Sequence, residues 1–211
     1  MATVIQPVDQ PVLMDGVSWA TYEALLADGG DRRQTRMAYD QGVLEIVTPS
    51  FEHELFRDVV SGVAEEILNA RGLDYVRSGS VTLKQEELGR GFEADASFYV
   101  AHVSRVRGLN QIDLHNDPPP DLVIEVDVSR SSLDKLPIYA ALGVPEVWRC
   151  RSGSVYVYRL VGSSYVEVDQ SEVLPGLTNS QLTAFAQEGL WESRQIWRRR
   201  IQDWARETGT A

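Results

Sequence analysis

Cysteine is almost missing from this 211-residue chain, where Cys150 stands alone. A single cysteine excludes an intramolecular disulfide and any zinc site built on several thiolates of one chain. It agrees with a reducing compartment, the cytoplasm. Long apolar runs are missing too: none reaches the roughly 18 residues needed to cross a bilayer. The opening MATVIQPVDQPVLMDG lacks the basic-then-apolar order of a secretion signal, so no membrane partner is expected. Internal repeats and low-complexity tracts are also lacking. Basic residues are in deficit, with 20 Lys and Arg against 31 Asp and Glu, a formal charge of −11 and a pI near 4.7. Surfaces that hold phosphate backbones ordinarily carry the opposite sign. An acidic chain suits such a ligand only if its charge is segregated, or if part of the acidity is a site that cations neutralise.

What is present is a globular composition, 43% hydrophobic, of a length that suits one domain. The patterning divides it into an N-terminal arm (1–16), a main domain (17–186) and a C-terminal helical extension (187–211). Pro7, Pro11 and Gly16 mark the arm as loose. Ser18 caps a short helix to Asp28, with Trp19, Tyr22, Leu25 and Leu26 on one face. Met37–Tyr39 and Val43–Val47 read as strands around the turn Asp40-Gln-Gly42. A long helix follows over Glu52–Ala70, where Leu55, Val59, Val63 and Ile67 repeat every four residues and Gly72 closes it. Tyr75–Leu83 and Phe92–Val100 read as strands, and Asp121–Ser129 as a buried one, rich in β-branched residues. Ser131-Ser132 is set to cap a helix over Leu133–Leu142 that Gly143 stops, with Pro137 confined to its first turn. Glu146–Cys150, Val155–Tyr158 and Tyr165–Val168 are further strands, and Leu182 to about Arg206 is helical. This alternation predicts a mixed α/β or α+β core.

Three features converge on chemistry. Glu93 and Asp95 lie two apart on an expected strand and so share a face. Glu125 and Asp127 do the same on a strand otherwise apolar, where charge is rare unless paired or bound to metal. Lys135 follows near the start of the next helix. Carboxylates from neighbouring strands offer the oxygen ligands that Mg²⁺ or Mn²⁺ prefers. Such a cation polarises a phosphodiester and activates water, and a nearby lysine orients that water or offsets developing charge. Each member alone also has a plain structural reading: Glu93 and Asp95 as solvated edge charges, Asp127 as a cap for the turn at Ser129, Lys135 as a surface residue. Only the combination points to catalysis.

At these residues the chain resembles the Uma family of restriction endonucleases, a branch of the PD-(D/E)XK nuclease superfamily. The likeness runs from about Ser18 to Phe185 through TYEALLADGGD, YDQGVLEIVTPSFEHE, GFEADASFYV, PPPDLVIEVDVSRSSLDK and IYAALGVPEVWRC, followed by VLPGL. The resemblance implies a restriction-endonuclease-like central mixed sheet flanked by helices. It places Asp95 and Glu125 at the two acidic positions, as ligands of Mg²⁺ or Mn²⁺. The superfamily's usual lysine position, two residues after the second acid, holds Asp127, and in this family the lysine moves to the next helix, as Lys135. His53 matches the family's histidine after the TPS break, alongside the reading that it only bonds a loop. Glu54 is a supporting candidate from the first helix, and Glu45 has no assigned role.

The expected activity is Mg-dependent hydrolysis of DNA phosphodiester bonds by Asp95, Glu125 and Lys135, supported by His53, Glu54 and Asp127. DNA contact by the C-terminal helix through Trp197, Arg198, Arg199, Arg200 and Trp204 competes with simple docking of that helix by its tryptophans. The superfamily implies a homodimer, for which Trp191, Trp197 and Trp204 are candidate contacts. Two other readings stay open: a catalytically inactive binding or assembly module on the same fold, and a hydrolase of another phosphate ester.

Overall fold

The computed structural model describes residues 9–30, 34–127 and 133–209. In chain order the elements are β1 (Gln10–Met14), α1 (Trp19–Gly29), β2 (Arg36–Asp40), β3 (Val43–Thr48), α2 (Phe51–Ala70), β4 (Val76–Arg77), β5 (Thr82–Gln85), β6 (Arg90–Glu93) and β7 (Ala96–Tyr99). They continue as α3 (Val103–Val106), β8 (Leu122–Asp127), α4 (Leu136–Ala141), β9 (Glu146–Arg151), β10 (Ser154–Val161), β11 (Ser164–Val168), α5 (Asn179–Gly189) and α6 (Arg194–Thr208). The class is mixed α/β.

The strands form two sheets. One is antiparallel, in the order β1-β3-β2-β6-β5. The other, in the order β11-β10-β9-β8-β7-β4, is mixed, because β8 and β9 run parallel while their neighbours are antiparallel. A parallel pair needs a crossover, and α4 lies on it. The mixed sheet is sandwiched by helices. On one face, Val59, Val63 and Ile67 of α2 pack with Phe185 of α5, Trp197 and Ile201 of α6, and Ile124 and Trp148 of the sheet. On the other, Ile138 and Tyr139 of α4 pack on Val123, Val147 and Phe92. The antiparallel sheet is closed by α1, whose Tyr22 stacks on Tyr39 with ring centres 4.9 Å apart.

Several sequence expectations need correction. The loose arm holds an edge strand: β1 pairs with β3 from Gln10 opposite Thr48 to Met14 opposite Leu44. Pro11 is tolerated because an edge strand has one unpaired side. Tyr75–Leu83 is not one strand. Gly79, with φ +62°, breaks it, so that β4 joins the mixed sheet and β5 the antiparallel one. Phe92–Val100 likewise switches sheets between β6 and β7, at Ala94-Asp95. Helix α4 starts at Leu136 with Lys135 at its N-cap, while the expected caps Ser131 and Ser132 lie outside the described residues. The C-terminal helix is two helices. At Gly189 an added Cβ would stand 2.6 Å from Val59 Cγ1 and 2.8 Å from Trp197 Cε2. The bare glycine lets α5 end against α2 and the chain fold back, so that Trp197 Nε1 donates to the Phe185 carbonyl at 2.7 Å.

Candidate active site

The site begins at the N-terminus of α2. The Ser50 side chain caps the helix by accepting the His53 N–H at 3.2 Å. Asp9, just ahead of β1, fixes this turn from the other side. Its Oδ1 accepts the Ser50 N–H at 2.7 Å and its Oδ2 lies 2.8 Å from His53 Nδ1. The opposite ring nitrogen, Nε2, is 2.9 Å from Asp95 Oδ1 and 3.0 Å from Arg36 Nη1. Burial opposes a charge on His53, but bonds to Asp95 and Asp9 more than offset it and raise its pKa to about 9. At neutral pH both ring nitrogens therefore carry protons, and Nε2–H is directed to Asp95 rather than accepting from Arg36. The result is a buried acid–imidazolium–acid chain.

Asp95 sits where the chain passes between the two sheets. The register pairing Ala96 with Ile124 and Ser97 with Val123 sets Asp95 against Glu125, one step beyond the last paired residues. Its Oδ2 accepts the Val126 N–H at 2.7 Å. Its Oδ1 also takes Arg36 Nη1, while Arg36 Nη2 reaches Glu54 Oε1 at 2.6 Å. Burial alone would push the Asp95 carboxyl up. The His53 bond and the charges of Arg36, His53 and Lys135 outweigh it and hold the group well below the usual carboxylate range.

Glu125 points to the α4 face of the mixed sheet. Its Oε1 accepts from Lys135 Nζ and its Oε2 accepts the Tyr139 hydroxyl at 2.5 Å. Burial, with Asp95 and Asp127 nearby, pushes its pKa up despite the lysine. Lys135 is held above its ordinary value, because Glu125 and Asp95 outweigh the burial that opposes its charge. Asp127 leaves the strand on the same side as Glu125, as the alternation predicts, and is gripped by Arg149 Nε at 2.7 Å. Glu125, Asp127, Lys135 and Tyr139 enclose a cavity of about 10 Å³, room for about one water. Beside Arg36 and Glu54 the surface opens into a polar cleft of about 740 Å³, lined also by Thr48, Ser78 and Thr82.

Asp95, Glu125 and Lys135 thus lie in one electrostatic cluster, with His53 and Glu54 beside it. Glu93 does not share the Asp95 face. The sheet switch turns it into the antiparallel sheet, where it accepts the Met37 N–H and the Thr82 hydroxyl, both at 2.8 Å. Four contributors were missed. Arg36 and Asp9 come from segments remote in sequence. Tyr139 lies inside the helix expected over Leu133–Leu142 and carries no local signal of its role. Glu45 is 1% exposed and accepts the Leu133 N–H at 3.1 Å, with Lys135 Nζ 3.9 Å from its second oxygen. An acid inside the alternating strand Val43–Thr48 was the available signal for it.

The donor chemistry fits Mg²⁺ or Mn²⁺, since Asp95 and Glu125 present hard carboxylate oxygens from facing positions. Each of those oxygens already accepts a hydrogen bond from the chain, and among the described residues no group of three or more His, Cys, Asp or Glu is placed to hold a metal ion.

The C-terminal helix corrects a further expectation. Trp197 is fully buried, and Trp204 packs edge-on to Phe185 with ring centres 5.5 Å apart. The Trp197 ring is therefore closed to DNA and to a second subunit, Trp204 is partly buried against the core, and Trp191 stands in solvent. Arg194 pairs with Asp58, Arg198 with Glu66, Arg200 with Glu188 and Arg206 with Asp203. The helix docks by its tryptophans, and these arginines answer acids of the same chain.

No helix among the described residues is long and apolar enough to cross a membrane. Among solved structures, one described as "a putative nuclease belonging to DUF820 from Anabaena variabilis ATCC 29413" is similar at 17% identity, covering 71% of this chain and 90% of that one, with a TM-score of 0.47. No curated protein matches the chain. The profile of the Uma2 family, described as "Putative restriction endonuclease", matches residues 19–196, from the first residue of α1 into α6 and across Asp95, Glu125 and Lys135, so the chain belongs to the Uma2 family.

Proposed function

We propose that this protein is a Mg²⁺- or Mn²⁺-dependent endonuclease that hydrolyses DNA phosphodiester bonds, acting in the cytoplasm as a homodimer. The observation that carries the reading is the convergence of buried Asp95 and Glu125 with the half-buried Lys135, near an open polar cleft. Family membership supports a nuclease.

Asp95 and Glu125 are the residues that would hold the cation, which when bound supplies Lewis acidity toward the phosphate and lowers the pKa of a coordinated water. The chain's own groups do the rest. Lys135 brings an ammonium group to Glu125, where it can orient water or offset charge on the phosphate oxygens. His53, anchored by Asp9, orients the Asp95 carboxylate and keeps it ionised. Arg36 lines the cleft while contacting Asp95 and can meet an incoming phosphate with a forked donor. Glu54 holds that guanidinium in place, and Arg149 holds Asp127 at the edge of the site.

A second reading, a non-catalytic binding or assembly module, is favoured by the saturation of both carboxylates by internal donors. Cleavage of supercoiled plasmid in Mg²⁺, with a chelator control, separates the two. Asp95→Asn and Glu125→Gln are expected to abolish cutting while retaining a cooperative melt. A Mg²⁺-dependent rise in melting temperature that Asp95→Ala removes would support the enzyme. Cutting by both variants at the parental rate would make the assignment wrong.

A further inference from the structure

A cation approaching Asp95 and Glu125 meets no bare oxygen, so one internal donor must yield to it. The donors differ in what holds them. Asp95 Oδ2 takes the Val126 N–H, a backbone group of β8. Asp95 Oδ1 lies 2.9 Å from His53 Nε2, but the other nitrogen of that ring is tied to Asp9 at 2.8 Å and the side chain is buried. On Glu125, the Tyr139 donor is fully buried and packs its ring edge-on to Phe92, with centres 4.4 Å apart. Lys135 has beside it a cavity of only about 10 Å³. Arg36, which bonds Asp95 Oδ1 through Nη1, is held differently. Its Nη2 bonds Glu54 Oε1 at 2.6 Å, and Glu54 is pinned in turn by Arg57 Nη1 at 2.6 Å. A second acid therefore stays with the guanidinium if the first is lost. Arg36 also lines the open cleft of about 740 Å³, which gives its long side chain room to turn.

We infer that Arg36 is the exchangeable countercharge of Asp95: a divalent cation binds Asp95 by displacing this guanidinium, which stays with Glu54 at the cleft. This rests on the nuclease reading, which makes Asp95 a cation ligand, and adds to it the donor that gives way. Asp95 is 3% exposed, and a carboxylate so buried is costly without a partner of opposite charge. Arg36 supplies that partner in the metal-free chain, and the arriving ion takes over the role. Cation affinity is then a difference between two partners for one oxygen, and removing Arg36 strengthens it. The exchange also couples cation to substrate: a phosphate that draws the forked guanidinium into the cleft leaves Asp95 free for the ion.

The test is calorimetric titration of the full chain with Mn²⁺, without nucleic acid. Arg36→Gln is expected to bind the ion about 10- to 100-fold more tightly than the parent, the range over which groups that contact a metal ligand change affinity. Its metal-free melting temperature should be lower, and Mn²⁺ should raise it by more than it raises the parent's. A second measurement needs no stable variant: the side-chain N–H resonance of Arg36 in the parent, assigned by its loss in Arg36→Lys, should move on adding Mg²⁺. Equal or weaker Mn²⁺ binding by Arg36→Gln, or an Arg36 resonance that stays in place at saturating Mg²⁺, would overturn the inference. So would Mn²⁺ binding by Asp95→Asn at parental affinity, which places the ion elsewhere. Metal-dependent plasmid cutting by the parent alongside an unmoved Arg36 resonance would sink this inference and leave the nuclease reading standing. No heat from either chain would sink both.

Discussion

The ammonium group of Lys135 bonds the carboxylate of Glu125, ten residues earlier in the chain, from the N-cap position of α4. The lysine is held where a helix begins, next to a buried strand, rather than on the strand itself. Replacing it with Met removes the charge while keeping most of the stem. Cleavage is expected to fall about 10²-fold or more. Breaking a buried pair costs about 3–5 kcal/mol when the remaining charge is stranded. Burial already pushes Glu125 upward, so its protonation absorbs part of that cost. The penalty in Lys135→Met should therefore be smaller near pH 5 than near pH 8, as checked by urea unfolding at about those values.

The charged His53 gives stability its own pH dependence. Its pKa rises from 6.5 to about 9 in the folded chain. The associated stabilisation is fully present below about pH 6.5 and is lost as pH rises through about 9. At about 1.4 kcal/mol per unit it amounts to at most about 3.5 kcal/mol. Asp95 acts in the opposite sense: its contribution is present above about pH 4 and is lost only in strong acid, because its folded pKa is depressed. Urea unfolding of the parent should show stability falling across the alkaline window, and His53→Gln should flatten that slope. An unchanged slope would assign the titration to another group.

Gly189 holds the junction of α5 with α2 and α6. In Gly189→Ala the new methyl would meet Val59 Cγ1 at 2.6 Å and Trp197 Cε2 at 2.8 Å, both in the packed core. Overpacking of this kind costs about 1–3 kcal/mol. The expected result is a lower melting temperature with the cleavage of the surviving folded fraction unchanged.

The C-terminal segment should prove structural. Trp197, Ile201 and Ala205 of α6 are each fully buried against the core. A chain ending at Gly189 is expected to lose its cooperative melt. Trp197→Ala should cost about 3–5 kcal/mol, whereas Trp191→Ala, at an exposed site, should stay within about 0.5 kcal/mol. Calorimetry on the two single variants makes the comparison.

Local signals carried much of the reading. Ser18 and Ser50 mark the starts of α1 and α2, and Gly72 follows the end of α2. Ser152 and Gly153, both at positive φ, make the tight turn between β9 and β10 where the sequence places it. The buried run before Asp127 marks β8, and its alternation puts Glu125 and Asp127 on one side. The failures share a cause. Phe92–Val100 alternates without interruption, and nothing local records that its halves hydrogen-bond to different sheets. Glu93 and Asp95 therefore seemed a pair when they serve separate structures. Arg36, Asp9 and Glu45 join the site only by long-range contact.

The sequence by itself determined most of the helix and strand positions, the candidacy of Asp95 and Glu125, and the family, because caps, turns, alternation and motif order are properties of neighbouring residues. Tertiary structure alone decided how those acids are held: by an imidazolium anchored on Asp9, by Arg36, and by Lys135 and Tyr139 from the next helix. It also decided that Trp197 belongs to the core and Trp204 packs against it, while Trp191 faces solvent. Burial and charge pairing depend on which distant segments fold together, and side-chain period records only the direction in which a residue leaves its own strand or helix.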